Sequence, residues 1–256
     1  MLEDLLSGSL ADAAERRSRR SLAEVERAAT ERPSALDALA HLAPSDRVKI
    51  IAEVKRASPS RGPLAEIPDP AALAVEYEAG GASAISVLTE ERKFRGSLAD
   101  LDAVRAAVRV PVLRKDFMGE PYQLLEARAA GADLVLLIVA ALDQPLLAEL
   151  HDLTRELGMT ALVETHSEEE IARALDVGAG LIGVNARDLR TFALDPDLFS
   201  RVADGIPSGV IRVAESAVKG ADDVAHYRRS GADVVLVGEA LVTNDPTQSL
   251  AAFLAV

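Results

Sequence analysis

From residue 48 onward, short and nearly continuous apolar runs alternate with amphipathic stretches. The runs Val48–Val54, Ala84–Leu88, Val110–Arg114, Leu134–Val139, Ala161–Glu164, Leu181–Val184, Val210–Ala214 and Val234–Val237 predict strands covered on both faces. Between them, Asp69–Ala79, Ser97–Val108, Glu120–Ala130, Gln144–Leu157, Glu168–Val177 and Val218–Arg229 have the spacing of helices with one apolar face. Alternation this regular implies parallel βαβ units with right-handed crossovers. Eight such strands predict an α/β fold, a closed (β/α)8 TIM barrel. A weak internal repeat agrees with closure. Gly81-Ala82, Gly131-Ala132, Gly178-Ala179 and Gly231-Ala232 each stand between a helix and the next strand, 50, 47 and 53 residues apart. Glycine there ends a helix in the left-handed conformation at little steric cost. A general preference of such loops for Gly-Ala is the other reading of the repeat.

Ahead of the first strand, Leu2, Leu5, Leu6, Leu10, Ala13 and Ala14 trace one helical stripe and Leu36, Leu39 and Leu42 a shorter one. Residues 1–47 are therefore expected to form a helical extension packed on the barrel, over one of its ends, within a single domain spanning 1–256. The cluster Arg16, Arg17, Arg19 and Arg20 reads as the solvated face of that helix, balanced by Glu15, Glu24 and Glu26, in preference to a phosphate or nucleic-acid patch. The length of 256 residues is close to the roughly 250 of one such barrel. With aromatics at 3% and no Trp, aliphatic side chains must fill the core.

Net charge narrows the partners. At −13 it disfavours nucleic acid and anionic membranes. A small anionic substrate stays compatible, because distant charges are screened beyond about 8–10 Å. The absence of Cys removes disulfides and thiolate metal sites and fits a reducing cytoplasm. The N-terminus is acidic and lacks the apolar core of a secretory signal, and the apolar stretch Leu134 to Leu142 falls well short of the roughly 20 residues of a membrane span. A soluble, cytoplasmic monomer is the expectation.

The chemistry lies where the apolar runs end. The first strand ends in Glu53-Val54-Lys55, and period-two geometry puts the carboxylate and the lysine on one face. Lys115 follows the third strand, Glu164 ends the fifth, Asn185 the sixth, and Glu215 with Ser216 the seventh. In a parallel barrel these ends converge on one mouth. One or two ion pairs would satisfy a structural rim, whereas six interleaved acids, bases and amides suit general acid–base chemistry. The loops after the last two strands begin Ser216-Ala217 and Gly238-Glu239, where such barrels bind phosphate, and Ser58 and Arg187 can add side-chain donors. Gly238 also reads as plain turn chemistry. Phe94 and Phe117 follow the second and third strands and offer an apolar wall for an aryl ring, or ordinary loop packing. His41, His151 and His226 fall on expected helices as surface residues. His166 lies near the mouth in a supporting role, without the spacing of a metal ligand set.

The ordered motifs IIAEVKRASPSRG, SVLTE, LRKDF, LVE, GVNARDL, VAES and LVGEALV, with the N-terminal extension, resemble the indole-3-glycerol phosphate synthase family along essentially the whole chain. The resemblance implies ring closure of 1-(2-carboxyphenylamino)-1-deoxyribulose 5-phosphate, with loss of CO₂ and water and with no metal or organic cofactor. It also implies roles. Lys115 matches the general acid at the carbonyl oxygen, and Lys55 a second lysine that holds the substrate carboxylate and assists dehydration. Glu164 matches the residue that handles a proton during loss of water. Glu53, Asn185 and Glu215 match groups that orient the lysines and the sugar hydroxyls. Ser58, Arg187, Ser216, Ala217, Gly238 and Glu239 fall where the family grips phosphate. Three positions depart from the family pattern: Ala217 stands where Gly is common, Ala186 where Asn is frequent, and Glu239 where some members have Ser. A Schiff-base aldolase using Lys55 or Lys115, a related phosphate-binding isomerase and a non-catalytic sugar-phosphate sensor are the alternatives. The paired lysines favour the synthase.

Overall fold

Eight parallel strands close into a barrel in the computed structural model, which describes residues 1–256. They are β1 (Lys49–Val54), β2 (Ala84–Leu88), β3 (Val112–Lys115), β4 (Leu134–Ile138), β5 (Thr160–Thr165), β6 (Leu181–Asn185), β7 (Ile211–Glu215) and β8 (Val234–Val237). Each strand pairs with its chain neighbours, and β1 closes the ring by pairing with both β2 and β8, so no edge is left open. The expected TIM barrel is the observed one, with strand bounds that coincide or shift by one or two residues. β3 starts at Val112, two residues later than the apolar run suggests, because Pro111 has no N–H to give the ladder. The four Gly-Ala glycines all have positive φ, from 79° to 97°, as their place at helix ends requires.

Alternation along the strands sorts two cores. Ile50, Ala52 and Val54 of β1 face outward into the main apolar layer beneath the helices, whereas Ile51 faces the barrel interior. The covering helices are α4 (Pro70–Ala79), α5 (Leu98–Ala107), α6 (Pro121–Ala129), α7 (Gln144–Glu156), α8 (Glu168–Asp176), α9 (Leu198–Val202), α10 (Ala221–Arg229), α11 (Glu239–Val242) and α12 (Pro246–Leu254). α10 begins three residues later than the sequence pattern suggests, because Asp223 caps the N–H groups of Lys219 and Gly220. No helix is long and apolar enough to cross a membrane.

The N-terminal segment differs most from expectation. It forms α1 (Leu2–Arg19), α2 (Leu22–Glu31) and α3 (Ala38–Leu42), and Leu36 lies outside any helix. The first stripe lies wholly within α1, and α2, which neither stripe covers, starts at Ser21 through a capping box with Glu24. The segment reaches both ends of the barrel. Ala38 and Leu42 join the interior cluster beside the first residues of the strands, such as Ala84, Leu134 and Leu181, so α3 plugs the floor. Leu2 and Leu5 of α1 belong to the same cluster, and Leu5 lines the cavity at the opposite end. Arg16 is not solvated as expected: it binds Glu126 of α6 through Nε and Nη2 at 2.7 and 2.9 Å. His151 also departs from the surface reading, since it is buried against the core side of α7.

Leu42 is fully buried while Leu39, one turn away, is 39% exposed. Leu42→Ala is expected to cost about 2–5 kcal/mol in urea unfolding, and Leu39→Ala less than about 0.5 kcal/mol. Equal losses would show that α3 does not plug the barrel.

Candidate active site

Inside the barrel, five of the eight strands turn polar at their last inward position, while β2, β4 and β8 end there on Leu88, Ile138 and Leu236. Ile51 gives way to Glu53, Leu113 to Lys115, Leu162 to Glu164 and Val213 to Glu215, while β6 ends inward on Asn185. These side chains meet at the floor of a cavity of about 370 Å³ at the C-terminal ends of the strands. Lys55 Nζ lies 2.7 Å from Glu53 Oε2. Lys115 Nζ lies 3.5 Å from Glu164 Oε2 and 3.4 Å from Glu215 Oε2. Asn185 Oδ1 accepts from the Ser216 hydroxyl at 2.8 Å and from the Arg187 N–H at 3.0 Å, which leaves its amide nitrogen available to a ligand.

Two glycines make room for these charges. A Cβ on Gly183 would stand 2.1 Å from Glu215 Oε1, and one on Gly238 would stand 2.3 Å from Glu53 Oε2 and 2.9 Å from Lys55 Nζ. Gly238 is thus more than turn chemistry or a phosphate donor, since it admits the Glu53–Lys55 pair beneath the loop.

The charges set one another's protonation. Burial presses Lys115 down, but Glu215, Glu164 and Glu53 outweigh it and hold the ammonium charged well above the usual lysine range. Burial likewise presses Glu53 up, but Lys55 and Lys115 outweigh it and keep the carboxyl below its usual range. For Glu215 burial prevails. Lys115 offsets it only in part, the charges of Glu164 and Glu53 add to it, and the carboxyl is pushed up to about 8.

Ser216 and Ala217 occupy successive left-handed conformations, with φ of 69° and 58°. The N–H groups of Ser216, Ala217 and Gly238 donate to no backbone carbonyl. Tyr227 braces the turn by donating to the Ser216 carbonyl at 3.2 Å. Exposed N–H groups in such a turn form a concave anion site. Arg187 and Ser58 line the cavity near it. The Glu239 carboxylate turns to Arg61 Nη1 at 3.1 Å. Arg61 sits at the tip of a two-residue ribbon in which Ala57–Ser58 pairs with Gly62–Pro63.

Phe94 and Phe117 stand 6.1 Å apart at a 42° tilt on one wall of the cavity. Buried carboxylates hold both. Glu90 accepts the N–H groups of Arg92, Lys93 and Phe94 at 2.7–3.1 Å. Asp116 accepts from the Phe117 N–H, Ser9 of α1, Thr89 and Arg114, a fully buried residue that points away from the barrel interior. Leu5, Arg61, Leu189 and Phe192 also line the cavity and carry no strand-end signature in the sequence. All fourteen residues read from the sequence as site candidates lie around this one cavity.

A family model described as indole-3-glycerol phosphate synthase matches residues 2–253. The indole-3-glycerol phosphate synthase of Leifsonia xyli subsp. xyli is 70% identical over 253 residues, covering 99% of this chain and 97% of that protein. The enzyme of the same name from Mycolicibacterium gilvum is 60% identical, covering 98% and 92%. Among solved structures, a thiamine phosphate pyrophosphorylase from Pyrococcus furiosus superposes with a TM-score of 0.60 at 15% identity, covering 80% of this chain and 93% of that one. At that identity it shares the fold alone.

The left-handed backbone at Ala217 costs about 1–2 kcal/mol for an L-residue, against about 0.4–1 kcal/mol of extra unfolded-chain entropy for glycine. Ala217→Gly is therefore expected to unfold in urea at equal or higher stability, by up to about 1 kcal/mol, and Ala217→Val at distinctly lower stability. A clear destabilisation by glycine would show that the turn is unstrained.

Proposed function

The chain belongs to the indole-3-glycerol phosphate synthase family, and we propose that the acids and bases at its barrel mouth carry out the family's reaction with the division of labour set out below. It is a carboxy-lyase of tryptophan biosynthesis that acts on a small-molecule phosphate substrate. It closes the ring of 1-(2-carboxyphenylamino)-1-deoxyribulose 5-phosphate and releases CO₂ and water.

The observation that carries the division of labour is Lys115, an ammonium held between Glu164 and Glu215 at the cavity floor. As the aryl carbon bearing the carboxylate attacks the ribulose carbonyl, charge develops on the carbonyl oxygen. An ammonium in a water-poor site stabilises that charge and protonates the oxygen as the carbon–carbon bond forms. The ring carbon then loses CO₂, and the electron pair left behind restores the aromatic ring. Loss of water follows. The hydroxyl leaves with a second proton while Glu164 removes a proton from the carbon beside nitrogen. Lys55, aimed by Glu53, holds the substrate carboxylate and assists that dehydration. Glu215, carrying its proton, donates to a sugar hydroxyl or to the developing alkoxide, and Asn185 supplies its free amide nitrogen. Phosphate sits against the N–H groups of Ser216, Ala217, Gly238 and Glu239 with Arg187 and Ser58, and the aryl ring lies on Phe94 and Phe117. A lysine held charged is a poor Schiff-base nucleophile, which weighs against the aldolase alternative.

We read the chain as one barrel domain with residues 1–47 as its extension, working as a cytoplasmic monomer. In support, the exposed large apolar side chains Met1, Leu22, Leu39, Val75 and Leu194 fall on separate segments and make no docking patch.

Because the chain has no Trp, indole emission from the product is read against low background. Wild-type protein given the carboxyphenylamino-deoxyribulose phosphate should show a rise in indole fluorescence, and Lys115→Ala should slow it by at least about 100-fold. No rise at saturating substrate would overturn the assignment, and an unimpaired variant would overturn the role of Lys115.

A further inference from the structure

The reaction written above needs a proton that the residues assigned so far do not supply. The carbonyl oxygen takes up two protons before it leaves as water, and one proton comes off carbon as the new double bond forms. The carboxylate departs as CO₂ and brings none. One proton per turnover therefore enters from water. The groups on the floor are poorly placed to fetch it, since the side chains of Lys115, Glu164 and Glu215 are 15%, 1% and 2% exposed and substrate covers them.

His166 stands beside this cluster on the side away from the cavity. It links Thr165, the last residue of β5, to Ser167, the N-cap of α8. Its N–H donates to Glu170 Oε2 at 2.7 Å, and its Nδ1 lies 3.2 Å from the same oxygen. Glu170 thereby clamps the ring and turns Nε2 toward Glu164 Oε1, 3.5 Å away. Both facing atoms are buried, and neither has a hydrogen-bond partner. Two buried acceptors facing each other would be costly, so a proton belongs between them. The side chains of His166 and Glu170 are 14% and 19% exposed, and neither lines the cavity that the substrate fills.

We propose that His166 is the proton relay of this active site, passing a proton from water through Nε2 to Glu164 Oε1 while Glu170 holds the ring. The proposal rests on the reaction assigned above. In the transfer the Nε2–H bond breaks and an O–H bond forms on Glu164, which passes a proton from Oε2 to Lys115, 3.5 Å away and left neutral by the first protonation of the carbonyl oxygen. Lys115 then gives that proton to the leaving hydroxyl, and the freed Glu164 carboxylate takes the proton from carbon and returns it to Lys115. The imidazolium becomes neutral imidazole, with Nδ1–H still donating to Glu170, and is recharged from water. The 3.5 Å gap is of the kind that tightens when substrate binds.

The surroundings keep the relay loaded. Glu164 of β5, Glu170 of α8, Glu215 of β7 and Asp188 in the loop after β6 act on the ring, and Lys115 contacts the other oxygen of Glu164. Burial disfavours the imidazolium, but the Glu170 hydrogen bond and the charges of Glu164, Glu170 and Glu215 outweigh it and raise its pKa above the usual histidine value. The charged ring is thus present at low pH and lost as pH rises through that raised value.

The test is the pH profile of kcat for wild type, His166→Asn and Glu170→Gln. His166→Asn should lose at least about tenfold in kcat with KM little changed, and added imidazole should restore part of the loss. Glu170→Gln removes a group that raises the histidine pKa, so the alkaline limb of kcat should move to lower pH. The relay is overturned if wild type turns over and His166→Asn matches it in rate and profile. A loss that imidazole does not rescue, with the Glu170→Gln limb unmoved, would mark a merely structural histidine and overturn it equally. If wild type itself yields no indole product, the reaction assignment fails and the relay with it.

Discussion

Taking the ammonium of Lys115 out of water requires partners, and the barrel supplies Glu164 of β5 and Glu215 of β7 at 3.5 and 3.4 Å. Much else at the mouth follows from that burial. With Glu53 and Lys55 added, the floor holds three carboxyls and two ammoniums. Of these, Glu215 is the carboxyl whose pKa rises, to about 8, because burial and the neighbouring carboxylates outweigh Lys115. The same crowding explains Gly183 and Gly238, because any side chain there would stand within 2.3 Å of a carboxylate oxygen.

A floor on which carboxyls outnumber lysines has little pull on an anion, so anion binding falls to the loops above it. There the N–H groups of a strained turn at Ser216 and Ala217 face the cavity with Arg187 and Arg61. Glu239 does not spoil this arrangement in the way its charge alone suggests, because its carboxylate pairs with Arg61. Ala217 acts on the turn through its backbone, as an L-residue held at a positive φ.

Behind the floor, strand alternation gives Lys115 its fixed position. Lys115 points inward, and its neighbours Arg114 and Asp116 are anchored in a buried network with Thr89, Ser9 and the carbonyl of Gln123. Ser9 and Arg16 extend that network into α1, and Leu5 of the same helix lines the cavity. The N-terminal extension is thereby tied to the reacting centre by hydrogen bonds as well as by apolar contact.

Period and spacing alone disclosed the barrel, its eight strands and the polar residues at their ends, because these depend on local rules: alternation, helical periodicity and glycine at helix ends. Glu53 with Lys55, and Lys115 with Glu164 and Glu215, were legible as one site because closure of parallel strands brings their ends together. Three kinds of feature were not legible. The packing of α2, which neither stripe covers, and the reach of the N-terminal segment to both ends of the barrel depend on which surface offers a cavity. Arg16 and His151 read as surface residues because neither sequence neighbour reveals the partner helix or the core that buries them. The raised pKa of Glu215, and the facing of His166 on Glu164, arise from groups brought together from separate strands and from α8. Sequence by itself determined which residues end each strand and which way they face. Tertiary structure alone decided their charge states and partners, because Coulomb energy and desolvation depend on distances across the barrel, which no local pattern encodes.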